Sequence, residues 1–189
     1  MWQEISLAHA YPIFKLVLAW LIIAFLCIEK KMIHIYTDGS ARGNPGPGGY
    51  GAILRSGAYE KELSQGYRLT TNNRMELLSV IVALETIKSP GHEVMVFSDS
   101  QYVVNSVEKG WVFGWKKKGF KDKKNPDLWM RFLEIYPKHK VKFHWIKGHN
   151  EHPENERCDV LAVKAATGSH LLIDSGYEQE VRGPKGLFR

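Results

Sequence analysis

Four carboxylates stand out in the 189-residue chain for where they fall: Asp38 in TDGS, Glu76 in NNRMELL, Asp99 in SDSQ and Asp159 in ERCDVLA. Asp38 and Asp99 close the alternating runs MIHIYTD (32–38) and HEVMVFSD (92–99), which read as strands. Open α/β sheets build their sites at the carboxyl ends of strands, above all where the topology switches direction. Taken singly, each residue has an ordinary account. A strand-end Asp before Gly or Ser forms a turn or caps a helix, and Asn73 with Glu76 has the spacing of a capping pair. That account strains at Glu76 and Asp159, where an unpaired charge facing a sheet would be expensive. Gathered in one place, four carboxylates would repel and raise one another's pKa values. Divalent cations remove that penalty, and oxygen-only ligation selects Mg²⁺ or Mn²⁺ over zinc. Two such ions, ~3.5–4 Å apart, could bind the attacking water and the leaving oxygen of an in-line phosphoryl displacement. Spacing alone leaves the convergence of the four residues open.

The elements that must position them follow from periodicity. Strands are predicted at 32–38, 49–56 and 60–69, the last two joined by a turn at Gly57. A helix apolar nearly all round, hence well buried, is predicted at 73–88, then the strand 92–99 and a helix through SQYVVNSVEK. A helix opened by Pro126 covers 127–136, followed by a strand at 141–147 and a helix at 156–166. The pattern predicts an α/β fold, a five-stranded mixed sheet flanked by helices on both faces. The first 31 residues differ from the rest: LVLAWLIIAFLCI (16–28) carries no charge, and extending it back to residue 11 admits Pro12 and Lys15. A membrane span needs ~20 apolar residues, and residues 1–14 lack the Lys or Arg of a secretory signal. Two accounts stand, with the first preferred: Met32 is the natural start, or residues 11–28 are an anchor with Lys30 and Lys31 keeping the following domain in the cytoplasm. The expected division is 1–31, a domain at 32–180, and a loose tail at 181–189.

The chain carries 26 Lys+Arg against 20 Asp+Glu, a net charge of +6, with 44% hydrophobic residues, which excludes a disordered or fibrous chain. The whole surplus lies in KGWVFGWKKKGFKDKK (109–124), with seven Lys and one Asp. A basic stripe on a neutral body points to a polyanionic partner. Trp111, Trp115, Phe120, Lys116, Lys117 and Lys118 have the character of a binding surface, aromatic faces for sugars and ammonium groups for phosphates. Trp129 and Trp145 are expected in the core. Cys27 and Cys158 offer no metal or disulfide framework, so a reducing cytosolic setting is expected, with Cys158 a small buried apolar residue.

YTDGSARGNPGPGGYG, TNNRMELLSVIVAL, SDSQYVVNSV, the tryptophan–lysine segment, WIKGHNEHPENERCD and DSGYE occur in this order. Together they resemble bacterial type 1 ribonuclease H over residues 32–180. The resemblance implies a ribonuclease H-like fold with a basic protrusion, acting as an endonuclease on the RNA strand of RNA–DNA hybrids and leaving 5′-phosphate and 3′-hydroxyl ends. It implies that Asp38, Glu76, Asp99 and Asp159 bind two Mg²⁺ ions, with Mn²⁺ as a substitute, and that His149 assists the nucleophilic water or product departure. It also implies that Asn44, Asn72 and Gln101 contact substrate near the cut, that Thr71 holds a DNA phosphate, and that the Trp/Lys protrusion grips the DNA strand. A cytoplasmic monomer without an organic cofactor is expected. The runner-up is a noncatalytic hybrid-binding module of the same fold, against which the intact carboxylate set argues.

Overall fold

Ile33, Ile35, Thr37 and Gly39 are buried while the residues between them are half-buried, the two-residue period of a strand covered differently on its two faces. In the computed structural model, which describes residues 32–148 and 152–182, they form the central strand β1 (Ile33–Ala41). Strands β2 (Gly46–Ser56) and β3 (Tyr59–Thr70) continue from it as an antiparallel meander. Strands β4 (Glu93–Ser98) and β5 (Lys140–Trp145) add in parallel on its other side. Among the described residues the sheet has six strands, not the expected five, in the order β5-β4-β1-β2-β3-β6. The addition, β6 (Leu171–Leu172), pairs with Gly66 and Tyr67 and is too short to leave an alternating signature. Strand β2 begins at Gly46, three residues before the expected start at 49, across an irregularity in register between Gly46 and Gly48.

Helix α1 (Asn72–Thr86) buries Met75, Leu77, Leu78, Val80, Ile81, Ala83 and Leu84, which explains its lack of a polar face. Its core continues through Val103 and Val107 of α2 (Gln101–Glu108) and Val112 of α3 (Trp111–Lys117). Trp129 and Phe132 of α4 (Pro126–Ile135) complete it, and a short 3₁₀ turn over Tyr136–Lys138 leads into β5. On the opposite face α5 (Pro153–Ala166) buries only Asn155, Cys158, Ala162 and Ala166, a single stripe at helical spacing, and leaves Val160 64% exposed. It starts three residues earlier than expected, at a proline suited to the first turn. Helix α6 (Ser175–Arg182) closes the described chain.

Two glycines bring the helices onto the sheet beside Asp38. A Cβ at Gly39 would overlap the backbone nitrogen of Glu76 in α1, and one at Gly51, the β2 partner of Asp38, would overlap the carbonyl oxygen of Cys158 in α5. Because residues 38 and 39 point to opposite faces, the two contacts clamp β1 between main chains. Among the described residues no helix is long and apolar enough to cross a membrane. The stretch 11–28, the start at Met32, His149 and the tail from 183 onward lie outside the described residues or at their edge.

Candidate active site

The last parallel pair between β1 and β4 is Thr37 with Ser98, both buried. The next residue is Asp38 on β1 and Asp99 just past the end of β4, so the two carboxylates fall at the same end of the sheet. The Gly39 contact brings Glu76 to the same end, and the Gly51 contact brings the α5 turn that carries Asp159. Asp38 accepts a hydrogen bond from the Gly39 amide at 2.7 Å. Burial, reinforced by the charges of Asp99, Asp159 and Glu76, pushes its carboxyl up to about 8. Glu76 is pushed up to about 7, again by burial first, with Asp99 adding to it and hydrogen bonds from Ser100 and Asn72 opposing it. Asp38 therefore lies within electrostatic reach of the other three carboxylates, and Glu76 within that of Asp99.

Neighbouring side chains hold these groups in place. Ser100 caps α2, accepting from Val103 at 3.3 Å, while its hydroxyl donates to Glu76 Oε2. Asn72 Nδ2 donates to Glu76 Oε1 at 2.8 Å. Glu76 is thus bonded by Asn72 and Ser100 and is not the capping partner of Asn73, which is exposed. Asn155, 4% exposed, donates to Asp99 Oδ2 at 3.4 Å, and Trp145 Nε1 donates to the Asp99 carbonyl at 3.0 Å. Trp145 is 43% exposed at the end of β5, a correction to its expected place in the core. Gly148 backs Asp99 so closely that a Cβ would lie 2.6 Å from Oδ2. Only a serine's helix-cap position and the PENERCD run could have flagged Ser100 and Asn155, because their targets are distant in sequence. Cys158 is fully buried, and burial pushes its thiol up, as suits an unreactive packing residue.

Beside the carboxylates, Asn44 and Asn72 meet, the Asn72 amide donating to Asn44 Oδ1 at 3.3 Å. Thr71 occupies the cap position of α1 without a side-chain capping bond. A cavity of about 380 Å³ opens there, with Thr71, Asn44 and Lys124 in its lining. Gln101 is the exposed first residue of α2. Farther along, α3 exposes Trp111 and Lys116–Lys118, and the Lys109 ammonium sits 5.1 Å over the Trp111 ring. Trp115 is only half exposed, packing edge-on to Trp129 at 5.9 Å while Lys123 covers it at 5.5 Å. Phe120 is buried (7% exposed), not part of the outer surface as expected. Its positive φ of 55° costs about 1–2 kcal/mol, offset by inserting the ring into the core cluster. The protrusion is therefore rooted by Trp115 and Phe120 and presents Trp111 and the lysines outward.

The family model for RNase H matches residues 30–167. The chain belongs to the RNase H family. It is 57% identical over 152 residues to a ribonuclease H of Edwardsiella ictaluri, covering 78% of this chain and 97% of that protein. Among solved structures it resembles LC9-RNase H1, a type 1 RNase H with the type 2 active-site motif, with a TM-score of 0.66, 32% identity and 84% of each chain covered. It also resembles LC11-RNase H1 in complex with an RNA/DNA hybrid, with a TM-score of 0.52 and 29% identity, covering 71% of this chain and 96% of that one.

For an RNase H-family site the donor set suits a hard divalent ion: oxygens only, with the Asp38 and Glu76 carboxyls pushed up to about 8 and about 7 by burial and neighbouring negative charge. Among the described residues no three His, Cys, Asp or Glu side chains form a ready-made metal cage.

Proposed function

We propose that this chain is an endoribonuclease that hydrolyses the RNA strand of RNA–DNA hybrids with two Mg²⁺ ions, leaving 5′-phosphate and 3′-hydroxyl ends. The observation that carries the reading is the set of three carboxylates gathered around Asp38 at the β1 and β4 ends, in an RNase H-family chain that also carries a lysine-rich protrusion. Asp38, Glu76, Asp99 and Asp159 would hold the ions. Bound there, they supply the positive charge that polarises the phosphodiester and lowers the pKa of water. The protein's own task is orientation. Ser100 and Asn72 fix both oxygens of Glu76, and Asn155 with the Trp145–Asp99 bond fixes Asp99. His149 takes the role of proton carrier to the nucleophilic water or departing product, a task open to an imidazole because its charge change falls near working pH.

Choice of RNA over DNA requires groups that meet the 2′-hydroxyl, a task assigned to Asn44, Asn72 and Gln101. Thr71 holds a DNA phosphate in the cavity at the start of α1, and Trp111, Trp115 and Lys116–Lys118 track the DNA backbone. The enzyme acts as a monomer in the cytoplasm. The deciding experiment is cleavage of labelled RNA–DNA, RNA–RNA and DNA–DNA duplexes with and without Mg²⁺. Only the hybrid should be cut, on its RNA strand and with metal present. Cleavage of the DNA duplex, or full turnover in EDTA, would overturn the reading.

Replacing Lys116, Lys117 and Lys118 together should weaken hybrid binding and flatten its salt dependence, by ~0.7–0.9 log units per log salt for each phosphate no longer neutralised. An unchanged slope in a salt titration would show that the lysines do not meet the backbone.

A further inference from the structure

The cavity beside Thr71 is built by four stretches of chain far apart in sequence. Asn44–Pro45 and Thr71/Asn73 form one side, Lys124–Asn125 the next, and Tyr177, Glu180 and Val181 of α6 the last. The three α6 residues are spaced i, i+3 and i+4, so a single helix face is turned to the opening. An eight-residue helix is too short to persist alone in water. Its place is set by Asp174, just before it, and by Glu178.

Arg74, 1% exposed, is the centre of that attachment. A guanidinium has five N–H donors in a planar fork, and every one is used. Nε donates to Asp174 Oδ2 at 2.7 Å and Nη2 to Asp174 Oδ1 at 2.7 Å and Asp127 Oδ2 at 2.7 Å. Nη1 donates to Asp127 Oδ1 at 2.9 Å and Asn125 Oδ1 at 3.5 Å. Asp174 also accepts from the Thr70 hydroxyl at 2.7 Å and the Tyr177 amide at 3.3 Å, which ties it to both β3 and the first turn of α6. Glu178 makes a second two-pronged pair with Arg68, at 2.7 and 2.8 Å. Gly176 lets the turn settle on this cluster, since a Cβ there would come within 3.0 Å of Arg74 Nη2 and overlap the Asp127 carboxylate. On the other side Asn125, held at φ 59°, donates to the Tyr102 hydroxyl at 3.1 Å. Arg74 therefore touches both the Asn125 wall and the stretch that sets the α6 wall, although it does not line the cavity itself. A buried ion pair is often no more stabilising than an apolar replacement, but a planar fork fixes the directions of all its partners.

We propose that α6 is a working wall of the DNA-phosphate pocket, placed there by Arg74 as a positioning residue, and that Glu180 in that wall limits how tightly the phosphate is held. The inference rests on the reading that this pocket takes a DNA phosphate. Glu180 adds an acidic side chain to a lining whose cationic member is Lys124, so a phosphate entering between them is attracted from one side and repelled from the other.

The test measures hybrid affinity of the full chain by fluorescence anisotropy in Ca²⁺ across a salt series. Glu180→Gln should tighten binding about threefold and steepen the salt dependence. The gain should vanish on a hybrid carrying one neutral methylphosphonate at the DNA position where that substitution weakens the unmodified protein. Arg74→Lys keeps the charge but not the fork; while folded, it should lose sensitivity to that methylphosphonate. Thermal unfolding identifies whether it is folded, and if it is not, Glu180→Gln decides alone. Thr71→Val serves as the internal standard. If Thr71→Val weakens binding while Glu180→Gln leaves affinity and salt slope unchanged, the α6 wall is overturned and the pocket reading survives. If Thr71→Val itself has no effect, the pocket does not hold the DNA strand and both fall.

Discussion

Asp38→Asn is expected to abolish hydrolysis and, in the same molecule, to make the metal-free protein harder to unfold. The first effect follows from removing a charged oxygen ligand from the centre of the carboxylate set, and a loss of ~10²–10³-fold or more in kcat is expected on the scale of a lost charge-stabilising group. The second follows from linkage. The Asp38 carboxyl stands at about 8 in the folded protein against an ordinary value of 3.8. Between those values the native state holds a proton that the unfolded state has released, so native stability falls as pH rises through the window. Glu76, at about 7 against 4.5, acts in the same direction over a narrower range. An asparagine carries no such penalty, and its amide oxygen can still accept from the Gly39 amide. In EDTA the variant and the wild type should unfold at similar temperatures near pH 4. The variant's advantage should grow towards pH 8 and reach a few kcal/mol, since each pH unit between the two values is worth roughly 1.4 kcal/mol. A constant difference across that range, or retained turnover in a pure preparation, would remove Asp38 from its assigned place.

Arg74→Met should produce the largest loss of stability, about 3–5 kcal/mol, because it leaves partners stranded and not because the ion pair itself is strong. Asp174 is 7% exposed and would keep only the Thr70 hydroxyl and the Tyr177 amide, while Asp127 would lose both bonds that its carboxylate makes to the fork. Burial opposes the charge on Asp127, and the Arg74 bonds overcome it, holding that carboxyl below its ordinary range. Its contribution to stability is therefore present above the unfolded value and fades as pH falls through the folded one. Denaturant unfolding at pH 7 gives the measurement. Adding Asp127→Asn and Asp174→Asn to the Met variant should recover part of the loss. A cost under ~1 kcal/mol for Arg74→Met would show that the cluster is not holding α6.

How much of the molecule is legible in its sequence depends on how local each cause is. The strands ending at Asp38 and Asp99 announce themselves by alternation, and the helix bearing Glu76 by apolar residues on every side, which packing between the sheet and α4 accounts for. Leu171–Leu172 cannot be recognised because two residues carry no period. Phe120 and Trp145 exchange their expected environments for tertiary reasons. Phe120 turns inward through a left-handed backbone, whereas Trp145 stands on the last residue of an edge strand, beyond the cover of the helices. Arg74 follows Asn72 and Asn73 in the run before Glu76, yet helical rotation buries it away from them, against carboxylates 53 and 100 positions on. Ser100, Asn155 and Asn125 leave no local signal for the same reason: their bonding partners are set by the fold, not by their neighbours.

The clamp at Gly39 and Gly51 bears on how such a scaffold can be redesigned. Both glycines meet main-chain atoms of a crossing helix, so no rotamer change can make room for a larger residue. The spacing between the β1 carboxylate and those on the two helices is inherited from backbone thickness. Attempts to retune the site for a smaller cation cannot tighten it by bringing α1 or α5 closer to the strand. They must instead change side-chain reach at the four acidic positions, exchanging Asp for Glu or Glu for Asp, while leaving the scaffold beneath untouched.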